Sequence, residues 1–395
     1  MKEGWEYKKL GDTLFFDKRF QGLNGCKQEK IVSFSHVSAE ELKNLVDENG
    51  DVRLLSTGNF SGYTTKEKAG SSLNCGEVIT IPTGGTANIK YYNGLFVDSG
   101  NIIGIASNAS IVLRFIYYAM IANNDTINSY YRGASIKHPY MPDIYKIPIP
   151  VPSKFEQQRI VDELDLLSSI IEKKNVQLNE LDNLAQSLFY EMFGDPIANE
   201  KRWDKNVLNE VAKVTSSKRI LQSEWQEAGI PFYKVADIVN LINGECVTPL
   251  TFIKETTYNE LKLNGLVPKA NDVLITSRGT IGQCYIVKEH DSFYFQDGMI
   301  TWLSNINSLI SPTFLVALFA NDVFSDSLKH SANSSTVAYI SIKQLSNMKI
   351  PIPPLTLQQQ FASKIEAIEH QKELIMQSIK EVETLFNSRM DYYFN

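Results

Sequence analysis

Lys146-Ile147-Pro148-Ile149-Pro150 returns near the end of this 395-residue chain as Lys349-Ile350-Pro351-Ile352-Pro353. Each copy leads into a glutamine pair, Gln157-Gln158 and Gln358-Gln359, and then into a long stretch with apolar residues at helical spacing. The repeat distance is about 200 residues, whereas the units of a solenoid are about 20–50 residues long. The sequence therefore predicts two similar modules, each a globular domain followed by a long helix.

The two Ile-Pro-Ile-Pro segments cannot be helical, because each proline fixes its own φ angle and favours an extended conformation at the residue before it. We expect them to be stiff connectors that set the direction of the helices. The division predicted from these landmarks is a first domain over 1–150, a central helix over 151–198, a second domain over 199–350 and a C-terminal helix over 351–395.

The two domains also resemble each other internally. Short apolar runs with strand character, 77–81 and 272–276, each enter a turn rich in glycine and threonine. A later apolar segment in each half ends near an aspartate, Asp98 or Asp297, and a helical stretch and a polar loop follow. Mixed strands and helices in this order predict an α+β fold for each domain.

Each predicted long helix carries one apolar stripe, with steps of three and four residues. About 35 residues correspond to about 50 Å, and a helix of that length with a single stripe needs a partner. Since each helix begins near its own domain and the first one leads into the second domain, the two are expected to pair antiparallel as a coiled coil, giving the chain pseudo-two-fold symmetry. The residues predicted to pack between the helices are Ile160, Leu164, Leu167, Ile171, Leu178, Leu181, Leu188, Phe361, Ile365, Ile368, Ile375, Ile379, Val382 and Phe386.

Composition indicates a soluble globular protein, with 43% hydrophobic and 21% charged residues. The four cysteines lie far apart and are expected to be reduced thiols, which predicts a cytoplasmic protein. No apolar stretch is long enough for a membrane span, and the four cysteines form no CxxC pair. The net charge of −6 is concentrated in the helices, since residues 151–198 hold 4 basic and 9 acidic side chains. The domains are nearly neutral, so DNA contact would have to use local basic clusters or a basic partner.

Catalytic motifs are missing from the sequence. It contains neither a GxxxxGK[ST] phosphate loop nor a GxGxxG motif, and it lacks the Asn/Asp-Pro-Pro-aromatic motif of adenine methyltransferases. The five histidines lie far from one another and lack the spacing of metal ligands. We therefore expect a binding protein that has no catalytic residues, no metal site and no cofactor of its own.

The paired domains, the twin connectors with their glutamine pairs and the helices after them closely resemble the specificity (S) subunit of type I restriction–modification systems. The resemblance covers essentially the whole chain and is most specific at residues 147–161 and 350–362. It implies that the domains are target recognition domains, each of which recognises one half of a split sequence in double-stranded DNA. It also implies that the helices are a spacer and dock two methyltransferase (M) subunits, which bind S-adenosylmethionine, and that restriction (R) subunits can join.

Three kinds of segment are candidates for DNA contact. Turns rich in glycine and threonine can bring small side chains or an arginine to base edges, polar loops can do the same, and recurring basic pairs can contact phosphates. Plain hairpin turns and solvated loops remain the alternative for each segment. The candidates are Lys18, Arg19, Thr83, Gly84, Gly85, Thr86, Arg132, Ser135, Lys137 and His138 in the first half, and Lys218, Arg219, Ser277, Arg278, Gly279, Thr280, Asn333, Ser334, Ser335 and Thr336 in the second.

Two functions remain open at this point. The first is that of a non-catalytic DNA specificity subunit, and the second is that of a scaffold that joins two protein partners without contacting DNA. Only the acidic charge favours the scaffold. The outward-facing glutamines of both pairs are expected either to cap the helix starts or to meet the methyltransferase.

Overall fold

A computed structural model describes residues 5–18, 32–245, 247–331 and 339–394. The chain forms two compact units. The first unit comprises Met1–Lys173 and Ile379–Asn395, and the second comprises Lys174–Ser378. Both long helices are therefore shared, so that each unit holds one globular domain, the first part of the helix that follows it and the last part of the other helix.

The first unit is built on a six-stranded sheet of order β2-β7-β5-β6-β3-β4. Neighbouring strands are antiparallel except β3 and β6, which run parallel. The elements in chain order are β1 (Glu6–Lys9), α1 (Leu10–Thr13), β2 (Leu14–Phe16), α2 (Ala39–Asn44), β3 (Val52–Ser56), β4 (Ser61–Thr64), α3 (Lys66–Ala69), β5 (Asn74–Pro82), β6 (Lys90–Ser99), β7 (Asn101–Ala106), α4 (Leu113–Ala122), α5 (Asn124–Ser129), β8 (Tyr131–Arg132), β9 (His138–Pro139), α6 (Met141–Ile144), β10 (Pro148–Val151) and α7 (Lys154–Phe193).

The second unit contains a four-stranded sheet of order β12-β18-β15-β16 and a three-stranded sheet of order β14-β13-β17. Among the described strands of this unit, β13 and β17 form the one parallel pair. The elements are β11 (Asp204–Val207), α8 (Leu208–Val211), β12 (Lys213–Thr215), β13 (Ile230–Tyr233), α9 (Val235–Ile242), β14 (Phe252–Ile253), α10 (Glu255–Leu263), β15 (Val273–Thr276), β16 (Cys284–Ile286), β17 (Tyr294–Phe295), β18 (Ile300–Ser304), α11 (Pro312–Ala320), α12 (Asp322–Ser331), α13 (Ile342–Ser346), β19 (Lys349–Ile352) and α14 (Leu355–Phe394).

Both connectors are short strands. β10 pairs antiparallel with β1, and β19 pairs antiparallel with β11, so the first strand of each domain is joined to the segment that leaves it. The predicted extended conformation is confirmed, whereas the pairing was not foreseen. Alternate prolines are tolerated because these are edge strands, in which every second backbone nitrogen faces away from the partner. Backbone bonds continue the pairing in both units, from Leu10 N to Ile147 O (2.9 Å) and from Leu208 N to Met348 O (2.8 Å).

The long helices α7 and α14 each contain 40 residues, slightly more than the predicted 35. In the first unit the start of α7 packs on the end of α14, where the Tyr393 hydroxyl donates to Glu163 Oε2 at 2.6 Å. In the second unit the end of α7 packs on the start of α14, where the rings of Phe189 and Phe361 lie 6.0 Å apart. The predicted α+β fold and the antiparallel pairing are thus confirmed within each unit. All fourteen residues of the predicted stripes are buried or half-buried.

The core of each domain is completed by two helix segments. In the first unit Ile160 and Leu164 of α7 and Phe394 of α14 belong to the core that contains Phe115 of α4. In the second unit Phe193 of α7 packs on Phe314 of α11 and on Phe361 of α14, and all three belong to one core. Burial of these large side chains contributes about 1.5–3 kcal/mol each, which fixes the helices on the domains.

The first glutamine of each pair is a buried structural residue, so the expectation that both glutamines face outward is wrong. Gln157 is 1% exposed and Gln358 is fully buried. Gln157 Nε2 donates to Pro152 O (2.9 Å) and Ser110 O (3.1 Å), and Gln157 Oε1 accepts from Val112 N (2.9 Å). Gln358 repeats all three bonds at 2.8–3.0 Å, with Pro353 O, Leu309 O and Ser311 N. Each glutamine therefore ties its helix start to the loop before α4 or α11.

No helix in the described part of the chain combines the length and apolarity needed to cross a bilayer. Among the same residues no cluster of His, Cys, Asp and Glu could hold a metal ion. Cys75 is an exposed free thiol, and Cys284 is a buried one whose pKa is raised by its burial. Cys26 and Cys246 lie outside the described residues.

Candidate nucleic-acid interface

In the first unit, two of the predicted segments form one surface. The turn 83–86 follows β5 and packs against the hairpin formed by β8 and β9. Gly85 N donates to Lys137 O at 2.9 Å, and His138 Nδ1 lies 2.6 Å from Thr83 O. Gly84 approaches the hairpin so closely that a β-carbon there would lie 3.2 Å from Ile136 Cγ2. A side chain at position 84 would therefore force the Ile136 side chain to shift.

The side chains of this surface differ in how they are held. Thr83 is half-buried, and its hydroxyl donates to Gly100 O, which fixes the base of the turn. Gly85 has a φ of +93°, which favours glycine, and Thr86 is exposed. On the hairpin, Ser135 and Lys137 are exposed. Small and polar groups are therefore presented to solvent from a fixed backbone.

Arg132 is held by neighbours within the first unit. Its Nη2 donates to Asp143 Oδ2 at 2.7 Å, and its guanidinium carbon lies 4.2 Å from the centre of the Tyr140 ring. The side chain remains 57% exposed. Because the Asp143 carboxylate engages one edge of the Arg132 guanidinium, only the remaining guanidinium N–H groups can donate to a ligand.

Lys18 lies at the same end of the sheet as the turn. β2 pairs with β7, and Asp17 N continues the ladder by donating to Ile103 O at 2.8 Å. β7 in turn begins at Asn101, which pairs with Pro82, the last residue before the turn. The exposed Lys18 side chain is thus two strands from Thr83. Arg19, its predicted companion, lies outside the described residues.

In the second unit the turn 277–280 joins β15 to β16. Arg278, Gly279 and Thr280 are exposed, and Gly279 has a φ of +78°. Ser277 is buried at 4% exposure, and its hydroxyl lies 2.6 Å from Thr301 Oγ1. Ser277 therefore lies behind the turn, and the next three residues form its exposed tip.

Arg278 makes no side-chain hydrogen bond or ion pair with any described residue. It lines a groove of about 480 Å³ whose other wall is α9. Its backbone forms a bridge with Tyr339, and Ile340 N donates to Ser277 O at 3.0 Å. Tyr339 and Ile340, the first described residues after the predicted polar loop, thus lie directly beside this turn. The candidates of that loop, Asn333, Ser334, Ser335 and Thr336, lie outside the described residues.

The basic pair of the second unit lies near the same turn. Lys218 and Arg219 are exposed, and Arg219 Nε is 3.7 Å from Asp297 Oδ2. Two residues further on, Met299 O accepts a hydrogen bond from Ser277 N at 2.8 Å. Lys218 is fixed through its backbone nitrogen, which donates at 2.7 Å to the hydroxyl of Tyr294, and burial raises the pKa of this tyrosine to about 12. The basic pair and the turn are therefore brought together by the segment 297–299.

Two elements of these surfaces were not among the sequence-based candidates. The segment 57–59 after β3 lies beside the turn of the first unit, since a β-carbon on Gly100 would be 3.6 Å from both Thr57 Cγ2 and Thr83 Oγ1. In the second unit α9 lines the groove beside Arg278. Their proximity depends on pairing between distant strands, which no local motif signals.

Comparison with known proteins places this arrangement in a family. The family profile described as "Type I restriction modification DNA specificity domain" matches residues 29–183 and 200–384. A type I restriction enzyme specificity subunit of Haemophilus influenzae is 24% identical over 391 residues, covering 96% of each chain. The MjaVIII specificity subunit of Methanocaldococcus jannaschii is 21% identical over 397 residues, covering 96% of this chain and 90% of the relative. The scaffold alternative finds no support in these relatives.

Solved structures share the fold. The S subunit of a type I restriction–modification system from M. genitalium superposes with a TM-score of 0.61 at 15% identity, covering 99% of this chain and 96% of that one. A chain from a structure of type I R-M complex assembly gives 0.52 at 18% identity, covering 100% and 98%. Since the family profile spans most of both modules, this chain belongs to the type I restriction–modification DNA specificity family.

Proposed function

We propose that this chain gives a type I DNA methyltransferase its sequence specificity by recognising a target in two parts. The first unit contacts one half of the target and the second unit contacts the other half. The observation that carries this proposal is that the same exposed turn is built twice with different side chains. Thr83-Gly84-Gly85-Thr86 follows β5, and Ser277-Arg278-Gly279-Thr280 follows β15, each packed against the segment that returns from the polar loop.

The differences between the turns fit two different half-sites. An arginine such as Arg278 can donate two parallel hydrogen bonds to guanine O6 and N7 in the major groove. The turn 83–86 has no arginine: Gly84 stands at the place of Arg278, and the hydroxyl of the preceding Thr83 already donates to Gly100 O. Two domains of one fold with different groups at the tip are expected to prefer different bases.

The charge distribution supports docking of partner subunits on the helices. Residues 151–198 carry a net charge of −5, while residues 199–350 carry 15 basic and 15 acidic side chains. Proteins that hold DNA alone usually present a basic face. We assign most of the phosphate contact to two methyltransferase subunits that bind α7 and α14, and the base contacts to this chain.

The chemistry belongs to the partners in this proposal. S-adenosylmethionine binds to the methyltransferase subunits, which transfer its methyl group to adenine, and restriction subunits join the same complex. The chain works in the cytoplasm, where its DNA target is. The helices α7 and α14 set the number of base pairs that go unread between the two halves, since one turn of B-DNA is about 34 Å and 40 helical residues span about 60 Å.

Mapping of methylated adenines in cells that express this chain with its methyltransferase tests the proposal. We expect one split motif, which disappears when the chain is omitted. Replacing residues 1–150 by the equivalent domain of another family member should change one half of the motif and leave the other half intact. Methylation without a split motif, or a motif unaffected by the swap, would contradict the proposal.

A further inference from the structure

The described part of each unit contains one parallel strand pair, and the segment after the earlier strand of that pair reaches the candidate DNA surface. In the first unit β3 pairs in parallel with β6, and Ser56 lies opposite Ser99 at its end. In the second unit β13 pairs in parallel with β17, and Tyr233 lies opposite Phe295. The segments that follow are 57–59 and α9. They occupy the same topological place in the two domains although one is a loop and the other a helix.

In the first unit this loop is fastened by a lysine. Lys90 Nζ donates to Ser56 O at 2.7 Å and to Gly58 O at 2.5 Å. Asn88 Nδ2 adds a bond to Gly58 O at 3.2 Å. Burial and the nearby charge of Arg53 lower the pKa of Lys90, which indicates an ammonium group drawn away from water. Lys90 is thus engaged in holding the loop.

The fastened loop presents one amide to solvent. Asn59 is exposed, and the one side-chain hydrogen bond that it makes with a described residue is long, 3.4 Å from Asn88 Nδ2 to its Oδ1. Thr57 and Thr83 flank Gly100, so the loop and the turn 83–86 share one end of the sheet. A primary amide there can donate and accept at once, which matches the N6 and N7 positions of adenine in the major groove.

The second unit repeats this arrangement with a helix. Asn240 of α9 faces the groove that Arg278 and Gly279 line on the other side. The Asn240 side chain makes no hydrogen bond with any described residue. An amide and an arginine that face one groove could recognise adjacent base pairs.

We propose that the segment Thr57–Asn59 is a second base-reading element of the first unit, in which Asn59 contacts an adenine edge and Lys90 is the positioning residue, and that Asn240 of α9 is its counterpart in the second unit. This inference rests on the proposed function and adds specificity-determining residues to it. The turns alone would then recognise only part of each half-site.

The test uses the complex of this chain with its methyltransferase subunit and a DNA library randomised at the target, from which methylated molecules are sequenced. Asn59→Ala should relax one position in one half of the motif by about 5- to 150-fold in base preference. Asn240→Ala should relax a position in the other half. Asn49→Ala, which removes an exposed amide elsewhere in the first unit, is the matched control and should leave both halves intact.

Variants of Lys90 test whether this residue positions the loop 57–59 or only stabilises the fold. Lys90→Met removes both hydrogen bonds that the ammonium group donates to the loop. It should relax base preference in the same half of the motif as Asn59→Ala and leave the half that responds to Asn240→Ala unchanged. Lys90→Arg, which keeps a donor, should restore part of the preference. Melting temperature and assembly with the methyltransferase are measured for each variant, and equal damage to both halves would show a general structural defect and overturn the inference.

The two proposals fail in different ways. If the unmodified complex methylates no split motif, the proposed function is wrong. If it methylates a split motif that Asn59→Ala and Asn240→Ala leave unchanged, the function stands and the inference about these amides is overturned.

Discussion

Glu163 of α7 accepts a hydrogen bond from the hydroxyl of Tyr393 of α14 at 2.6 Å, and the same carboxylate pairs with Arg389. The contact joins the start of one long helix to the end of the other within the first unit. It lies beside the core to which Ile160 and Phe394 belong. Two chain segments more than 220 residues apart are therefore held together by a charged network as well as by apolar packing.

Replacing this carboxylate should weaken the first unit in a pH-dependent way. Arg389 holds the pKa of Glu163 below its usual range, so the ionised form is favoured in the folded state. The stabilisation is therefore complete above the ordinary glutamate pKa and is lost as the pH falls through the lowered folded value. Glu163→Gln should cost about 1 kcal/mol near pH 7, since the pair is partly exposed.

Thermal unfolding of Glu163→Gln and of the unmodified chain, measured between pH 7 and pH 3.5, checks this expectation. The difference between the two should shrink towards the acidic end. Glu172→Gln removes an exposed carboxylate from the same helix and should have little effect at any pH. A difference that grew as the pH fell would contradict the assignment.

The buried glutamines offer a second prediction with built-in controls. Gln157→Ala leaves two backbone carbonyls and one backbone N–H without their partner, and Gln358→Ala does the same in the second unit. Leaving a buried polar group unsatisfied costs about 1–3 kcal/mol. Each variant should destabilise its own unit, which hydrogen exchange of the peptides around 110–112 or 309–311 would localise.

Gln158→Ala and Gln359→Ala are the matched controls. Both residues are exposed, and among the described residues the Gln158 side chain bonds only to the side chain of Asp162, one turn further along α7. We expect changes within about 0.5 kcal/mol for these surface substitutions. Equal effects of the first and second glutamine of a pair would argue against a structural role for the first.

These glutamines also show what the sequence could and could not reveal. The repeated Ile-Pro-Ile-Pro segments and the apolar stripes predicted the duplication, the helices and their antiparallel pairing, because those patterns are local and repeat along the chain. The role of Gln157 was misjudged because its partners at Ser110 and Val112 lie about 45 residues away. The sequence indicates a polar residue beside an apolar stripe, which usually means solvent exposure.

The candidate site shows the same limit. The turns 83–86 and 277–280 could be located from glycine and threonine content, since turn chemistry is local. The segment 57–59 could not be located from the sequence. It lies beside the turn because β3 pairs in parallel with β6, and the paired residues are over 40 positions apart in the chain. Ser277 was grouped with its exposed neighbours although its hydroxyl lies against Thr301, a residue of another strand.

Arg278 provides a test of base recognition in the second unit. Arg278→Ala should relax one position in one half of the methylated motif, with a loss of about 1–3 kcal/mol in discrimination if the arginine donates to guanine. Lys288→Ala removes an equal charge from the other end of the same hairpin and should leave the motif unchanged. Sequencing of methylated DNA from both variants compares them directly. A uniform loss of methylation with an unaltered motif would instead identify Arg278 as a phosphate contact.

Lys218 is expected to be a phosphate contact, so its removal should weaken binding without altering the motif. Its exposed ammonium belongs to a basic pair beside the turn, where contact with a phosphate carries no sequence information. Lys218→Ala should weaken binding of all sequences alike and lower the slope of log affinity against log salt concentration by about 0.9. Titration of the complex with DNA at several salt concentrations measures this slope. If the slope stayed constant while the motif changed, Lys218 would be a base contact.

The helices provide the last prediction. Four residues, about one helical turn or 6 Å, inserted after Ile171 lengthen α7 alone and shift its register against α14. In each unit α7 packs on α14 through specific side chains, such as Glu163 with Arg389 and Asp182 with Lys372 at 2.9 Å. A single insertion should therefore weaken one of the two pairings and reduce assembly with the methyltransferase.

A second insertion of four residues between Ile375 and Ile379 of α14 should restore the register, because both helices are then longer by one turn. Adenine methylation mapping of the double variant should show both halves of the motif unchanged and a longer unread gap between them. An unchanged gap in that double variant would refute the role of helix length in setting the spacer, while restored assembly would still support the antiparallel pairing.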